Sequence, residues 1–269
     1  MKTVALSILV SLLLVIPAIA SETTEDTGAT LPADISESGN AGPIWDGPKD
    51  VLWDNGPLVT SVGTGVGGAD ESIVDASEVV NGFGCQWGAD IRLADDFTVP
   101  SGETWEISTL TVFGYQTGSG PPSTILECYI EIFDGHPETS TSVYGDLFTD
   151  VMTSSSWMNC YRVKPPTSGT STDRPIMANV CEFASPIVLS EGTYFLVWQL
   201  DGTGSSGPWT PPVTINGQLN TGDAIQYFDS MWNPIDDSAS LEPKGLPFIL
   251  ENNSGALDNE TWATIKTIF

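Results

Sequence analysis

Hydrophobic and polar positions alternate in short stretches along most of this chain. In residues 124–133, Cys128, Ile130 and Ile132 fall on one side, while Glu127, Tyr129 and Glu131 fall on the other. A period of two with one apolar side describes a half-buried antiparallel strand. Stretches of the same texture, rich in Val, Ile, Thr, Phe, Tyr and Trp, predict further strands at 93–99, 105–116, 143–149, 158–164, 175–183, 193–200, 212–215, 224–228 and 246–250. Clusters of Gly, Pro, Asp and Ser at 118–122, 134–137, 165–169 and 201–208 read as the turns between them. No stretch from 45 to 250 repeats apolar residues at helical spacing over the length of a helix. Many short strands with frequent turns predict an all-β fold, an antiparallel β-sandwich of jelly-roll or related topology, as a single domain over residues 45–251.

The flanks differ. Lys2, the apolar run 4–16, Pro17 and Ala18-Ile19-Ala20 have the order of a secretory signal peptide cleaved after residue 20. No later stretch approaches the ~20 apolar residues of a membrane helix, so the expectation is no membrane insertion after cleavage. Residues 21–44 are acidic, Ser/Thr-rich and poor in large apolar side chains, which predicts a solvated linker. The tail 252–269 reads as one short helix around Trp262 and Ile265 or as an added edge strand.

Export to an oxidising space gives the four cysteines a meaning. Cys85, Cys128, Cys160 and Cys181 predict two disulfides, with three connectivities open. Cys160 and Cys181 flank one hairpin-like region, which favours joining them and leaving Cys85 with Cys128. No CxxC spacing supports a zinc site.

Charge narrows the partners. Of 269 residues, 35 are acidic and 8 basic, a net charge of -27. Nucleic acid is excluded as a partner, because phosphate contacts need clustered Lys and Arg. A carboxylate-rich surface also stays soluble at high salt, so a saline habitat alone accounts for the acidity. Calcium takes six to eight oxygen ligands, and Asp54, Asp95, Asp96, Asp134 and Asp201 in or beside loops are its candidates as a structural ion, although none forms an EF-hand loop. These residues equally suit turn formation.

Catalytic signals are weak. The single histidine, His136, lies in a turn-like Asp134-Gly135-His136-Pro137, and no GxSxG elbow appears. Glu127 and Glu131 on one strand are ~13 Å apart, too wide for the ~5 or ~6.5–9.5 Å carboxylate pairs of glycosidases. The aromatic content is more suggestive. Trp209 sits in the stiff Ser-Ser-Gly-Pro-Trp-Thr-Pro-Pro stretch 205–212, and an exposed Trp there offers a platform for a sugar ring, with Trp232 and Tyr115 as partners. The alternative is that Trp209 folds inward and plugs the sandwich.

Several phrases carry a resemblance: ADDFTVPSGETW at 94–105, VFGYQT at 112–117, IFDG at 132–135, GTYFLVWQLDG at 192–202, SGPWTPPVT at 206–214 and GLPF at 245–248. In this order they resemble a group of uncharacterised secreted bacterial β-sandwich proteins, many of which carry a C-terminal sorting tail. The resemblance implies an extracellular jelly-roll-like domain and hands over no catalytic residues. The expectation is thus a non-enzymatic secreted module that binds a polysaccharide or another cell-surface or matrix component. A structural envelope or matrix subunit and a carboxylate-dependent hydrolase are the rival readings.

Overall fold

The computed structural model describes residues 24–28, 42–213 and 222–252. The signal-peptide segment, most of the linker, and tail residues 253–269 lie outside the described residues.

Two long strands organise the molecule. β5 (Arg92–Gly114) and β9 (Pro175–Gly202) pair antiparallel along most of their lengths. Each was expected as two strands, because residues 100–104 and 184–186 between the apolar runs are polar or small. The chain instead stays extended there with those residues exposed, and the ladder shifts register between Val99 and Thr104 and between Ile107 and Thr109. Such irregularities bend a ribbon without ending it.

The bend gives each half of the ribbon its own neighbours. The first half of β5 and the second half of β9 are joined by β6 (Ile125–Phe133), β7 (Ser142–Asp146), β11 (Ile225–Phe228) and β12 (Met231–Pro234), in the order β12-β11-β5-β9-β6-β7. The other halves are joined by β13 (Phe248–Glu251) and β2 (Val51–Asp54) on one side. On the other side lie β8 (Ser154–Val163) and, parallel to it, β3 (Asp70–Ile73). We call these the first and second sheets. Cross-sheet ring contacts show that they face each other: Phe97 and Trp198 of the first sheet lie 6.2 and 6.3 Å from Phe248 of the second. Leu93, Ile130, Ile132, Leu110, Val112, Met177 and Leu250 fill the space between. A small third sheet, β1 (Glu25–Asp26), β4 (Gly82–Gly84) and β10 (Trp209–Thr210), adjoins the sandwich. The fold is an all-β sandwich, and no α-helix occurs among the described residues.

Two smaller apolar clusters coat the outer faces. On the second sheet, Phe113, Tyr115, Ile176, Ala178 and Ile249 are covered by Leu58, Trp45 and Trp209. On the first sheet, Ala94, Tyr129, Val197 and Ile225 pack with Leu147, and Phe133, Phe195 and Trp232 lie partly buried against them.

Four expectations change. Residues 25–26 of the expected linker form β1, and Asp26 is buried. Residues 212–213 are not strand; 214–215 lie outside the described residues. Residues 231–234, which are not among the expected strands, form β12. No cysteines are bonded, and all four thiols are buried. Cys160 cannot reach Cys181: Tyr161 opposes Pro175 and Ser154 opposes Val180, which puts the two on the order of 17 Å apart along the strands, against a Cα limit near ~7 Å. The thiol that Cys181 meets is that of Cys128, across the sandwich, and this contact together with burial pushes the Cys128 thiol well up. Cys85 instead accepts a hydrogen bond from Thr210 Oγ1, at 3.6 Å.

Candidate functional site

The solvent side of an open antiparallel sheet normally reads polar. The outer face of the first sheet does not. Its register places Ile225, Ala94, Val197 and Glu131 side by side on neighbouring strands, and one step along places Asp96, Phe195 and Phe133 side by side. At the β11–β12 edge, Tyr227 opposes Trp232 with ring centroids 5.5 Å apart, and the Arg92 guanidinium lies over Tyr227 at 4.5 Å. On β6, Tyr129 stacks on Trp87 at 5.1 Å and an 18° interplanar angle. Trp87 is held there because its indole Nε1 donates to the Leu147 carbonyl at 2.9 Å. It still leaves 39% of its surface exposed. His136 lies in its turn with the ring 5.6 Å from Phe195. One row of the face therefore runs from Trp232 and Tyr227 through Arg92 and Gln199 to Tyr129 and Trp87, with aromatic rings at both ends, and Phe195 and Phe133 lie further along the strands.

Carboxylates sit beside this face. Asp95, Asp96 and Asp223 each bring one carboxylate oxygen within 4.8 Å of the others. Strand alternation separates Asp95 from Asp96, but Asp223 lies just before β11, level with Asp96, and closes the group. Asp95 is fully buried, accepting from Asn55 Nδ2 at 2.9 Å and from the Leu246 amide at 2.7 Å. Burial pushes its carboxyl well above the usual range, and the Asp223 and Asp96 charges add to the rise. Asp96 is raised to about 6 by burial and then by the Asp223 charge. Asp223 is raised by its own burial. Three close carboxylates that resist ionisation can share protons, offer oxygen ligands to a cation, or supply an acid beside a base.

The sequence-selected residues fare unevenly. Trp209 is 5% exposed and Tyr115 fully buried, so neither is a ligand platform. Trp209 plugs the second sheet's outer cluster, its Nε1 donating to Ser206 Oγ at 3.2 Å, and Tyr115 hydrogen-bonds Asp26 at 3.0 Å. Apolar burial overrode the Gly/Pro setting that suggested exposure. Trp232 is partly exposed and belongs to the aromatic face. Among the metal candidates, Asp95 and Asp96 come together. Asp54, Asp134 and Asp201 do not join them; they accept the amides of Gly56, Thr141 and Gly202 in local turns.

Sequence reasoning missed Trp87, Tyr227, Arg92 and Asp223. Only strand pairing reveals that Asp223 is level with Asp96. Trp87 was hidden in a single 3-10 turn, Trp87–Ala89. Among the described residues no helix is long and apolar enough to cross a membrane. The chain matches no family model, no curated protein and no solved structure.

Proposed function

We propose that this chain is a secreted, non-catalytic β-sandwich module that binds a polysaccharide or another surface component on the outer face of its first sheet. The observation that supports the reading is two solvent-reaching aromatic groups on one sheet face, Trp232 with Tyr227 at one edge and Trp87 stacked on Tyr129 at the other. Flat rings held by stacking and by hydrogen bonds lose little entropy on binding a sugar face. The carboxylates at Asp96 and Asp223 beside the rings suit sugar hydroxyls, directly or through calcium.

A glycan-array screen of the chain, run with calcium and again with chelator, tests this. One polysaccharide class is expected to bind saturably. Trp87→Ala and Trp232→Ala are each expected to weaken it at least 10-fold while shifting the melting temperature little, since both rings are partly exposed. A blank array under both conditions removes the reading in favour of a matrix subunit.

One observation favours a second reading, a carboxylate-dependent hydrolase. Oxygens of Asp95, Asp96 and Asp223 lie within 4.8 Å of one another, and one carboxyl is raised to about 6. Retaining glycosidases hold their pair ~5 Å apart with the acid raised. Product release from the bound polysaccharide, abolished in Asp96→Asn, would establish it; intact polysaccharide after prolonged incubation would exclude it.

A further inference from the structure

Basic residues are scarce here, yet three of the 8 fall between positions 162 and 174. The fold gathers them at one place. A pocket of about 240 Å³ is lined by Lys164 and Arg174, with Thr27, Gly28, Asn81 and Ser171 among its walls. Its wall includes an unusual group. Asn81 is fully buried, and neither its amide nitrogen nor its amide oxygen has a hydrogen-bond partner. Leaving a buried amide unmatched costs about 1–3 kcal/mol, so an unmatched amide on a pocket wall points to a ligand.

The donors converge. Gly28 has φ +91°, and a Cβ built on it would lie 3.5 Å from Asn81 Nδ2 and 3.9 Å from Arg174 Nη2. The absent side chain thus leaves open the space that both donors border. Arg174 is held in place from behind, its Nε donating to Asp26 Oδ2 at 2.7 Å. Asp26 is itself fixed by Tyr115 and Thr117, each at 3.0 Å. Lys164 is steadied by a 3.3 Å bond from Nζ to the Val79 carbonyl.

Behind Asn81 lies a third cation. Arg162 is fully buried, and its Nε donates to the Asn81 carbonyl at 2.8 Å and its Nη1 to Ser72 Oγ at 3.0 Å. Among the described residues it forms no salt bridge. Its hydrogen-bond partners are neutral, and the carboxylate that acts on it through space, Glu78, is shared with Lys244, so its positive field is offset only in part and reaches the pocket wall. Of the nearby carboxylates, Asp26 is engaged by Arg174, and Asp173 also lines the pocket and sets a limit on its affinity.

We infer that this pocket binds a small oxyanionic group, a carboxylate or a sulfate, with Arg174 and Lys164 supplying charge and Asn81 Nδ2 supplying a neutral donor. Its volume falls below the ~300–1,000 Å³ of sites for drug-sized ligands, so it admits an ion or one residue of a larger molecule. The assignment does not rest on the aromatic face, which draws on other residues.

The experiment is a titration of the full chain with sodium sulfate and, separately, sodium glucuronate at constant ionic strength. It is followed by calorimetry and by the Asn81 side-chain amide signals in a nitrogen–proton NMR spectrum. Saturable binding with a shift of the Asn81 signals is expected for at least one anion. Sulfate alone assigns the pocket to a free inorganic oxyanion; glucuronate binding assigns it to a sugar carboxylate. Lys164→Gln removes one charge at similar size, and Ser171→Asp adds an opposing charge at the pocket wall. Each is expected to weaken binding at least 10-fold with an unchanged melting temperature. No saturable response to either anion, or an affinity in both variants unchanged from that of the parent chain, overturns the inference.

Discussion

Asp96 is the single residue whose state should be easiest to read. Its folded carboxyl is raised to about 6, above the ordinary ~3.9 of an unfolded chain. The folded form therefore holds the proton more tightly, and the resulting stability is present at acid pH and lost as pH rises through about 6. Asp95 and Asp223, also raised, act with the same sign. Asp26 acts with the opposite sign. Burial alone would raise it, but the bonds from Arg174, Gly28 and Thr117 outweigh that and hold it low, so its contribution is lost only on acidification. Asp96→Asn is thus expected to leave stability unchanged near pH 4 and to raise it at pH 8, by about 1 kcal/mol once solvent screening of a half-buried group is allowed. Urea melts at the two pH values check this; equal midpoints for both proteins at pH 8 would show that the cluster carries no strain. The sequence offered Asp95 and Asp96 among five calcium candidates but supplied no route to Asp223, because proximity across strands depends on register, not on spacing along the chain.

At the scale of elements, legibility followed the strength of alternation. β6 was readable to within a residue because one face is apolar and the other carries two glutamates. β5 and β9 were each read as two strands, since the Pro-, Gly- and Ser-bearing stretches 100–104 and 184–186 look locally like breaks while the tertiary ladder carries the backbone through. The two-residue strands β1 and β10 hold too few residues to show any period. Trp209 illustrates the physical limit: a Gly/Pro-stiffened loop fixes where the backbone turns but does not say which side of it is covered. Its neighbours answer that, for a Cβ on Gly82 would stand 2.6 Å from Tyr115 Oη and 3.1 Å from Trp209 Cβ, a closeness only a closed interior imposes. Trp209→Ala is accordingly expected to destabilise by about 3–5 kcal/mol in urea melts, whereas Trp87→Ala changes stability little. A small loss for Trp209→Ala would mean that its cluster is not a packed core.

Across the whole molecule the charge is more one-sided at the surface than the composition states. The chain carries -27 overall, yet Arg162, Arg174 and Lys244 are buried. Lys244 pairs with Glu78, and Arg174 with Asp26. Half of the basic side chains among the described residues are thus withdrawn from the surface, against a minority of the acids, and of those left Lys49 and Arg92 are paired to Asp46 and Asp90 and Lys164 lines its pocket. Repulsion among exposed carboxylates acts over a screening length of ~10 Å at 0.1 M salt and ~3 Å at 1 M. Buried pairs are shielded from that screening, so added salt removes the unfavourable part of the electrostatics and spares the favourable part. The melting temperature is therefore expected to rise steadily between low salt and about 1 M sodium chloride. An uncharged osmolyte serves as the control for general exclusion effects. If the midpoint stays flat in sodium chloride, the surface carboxylates are too far apart to repel, and the acidity must be explained by what the protein binds, not by the medium in which it folds.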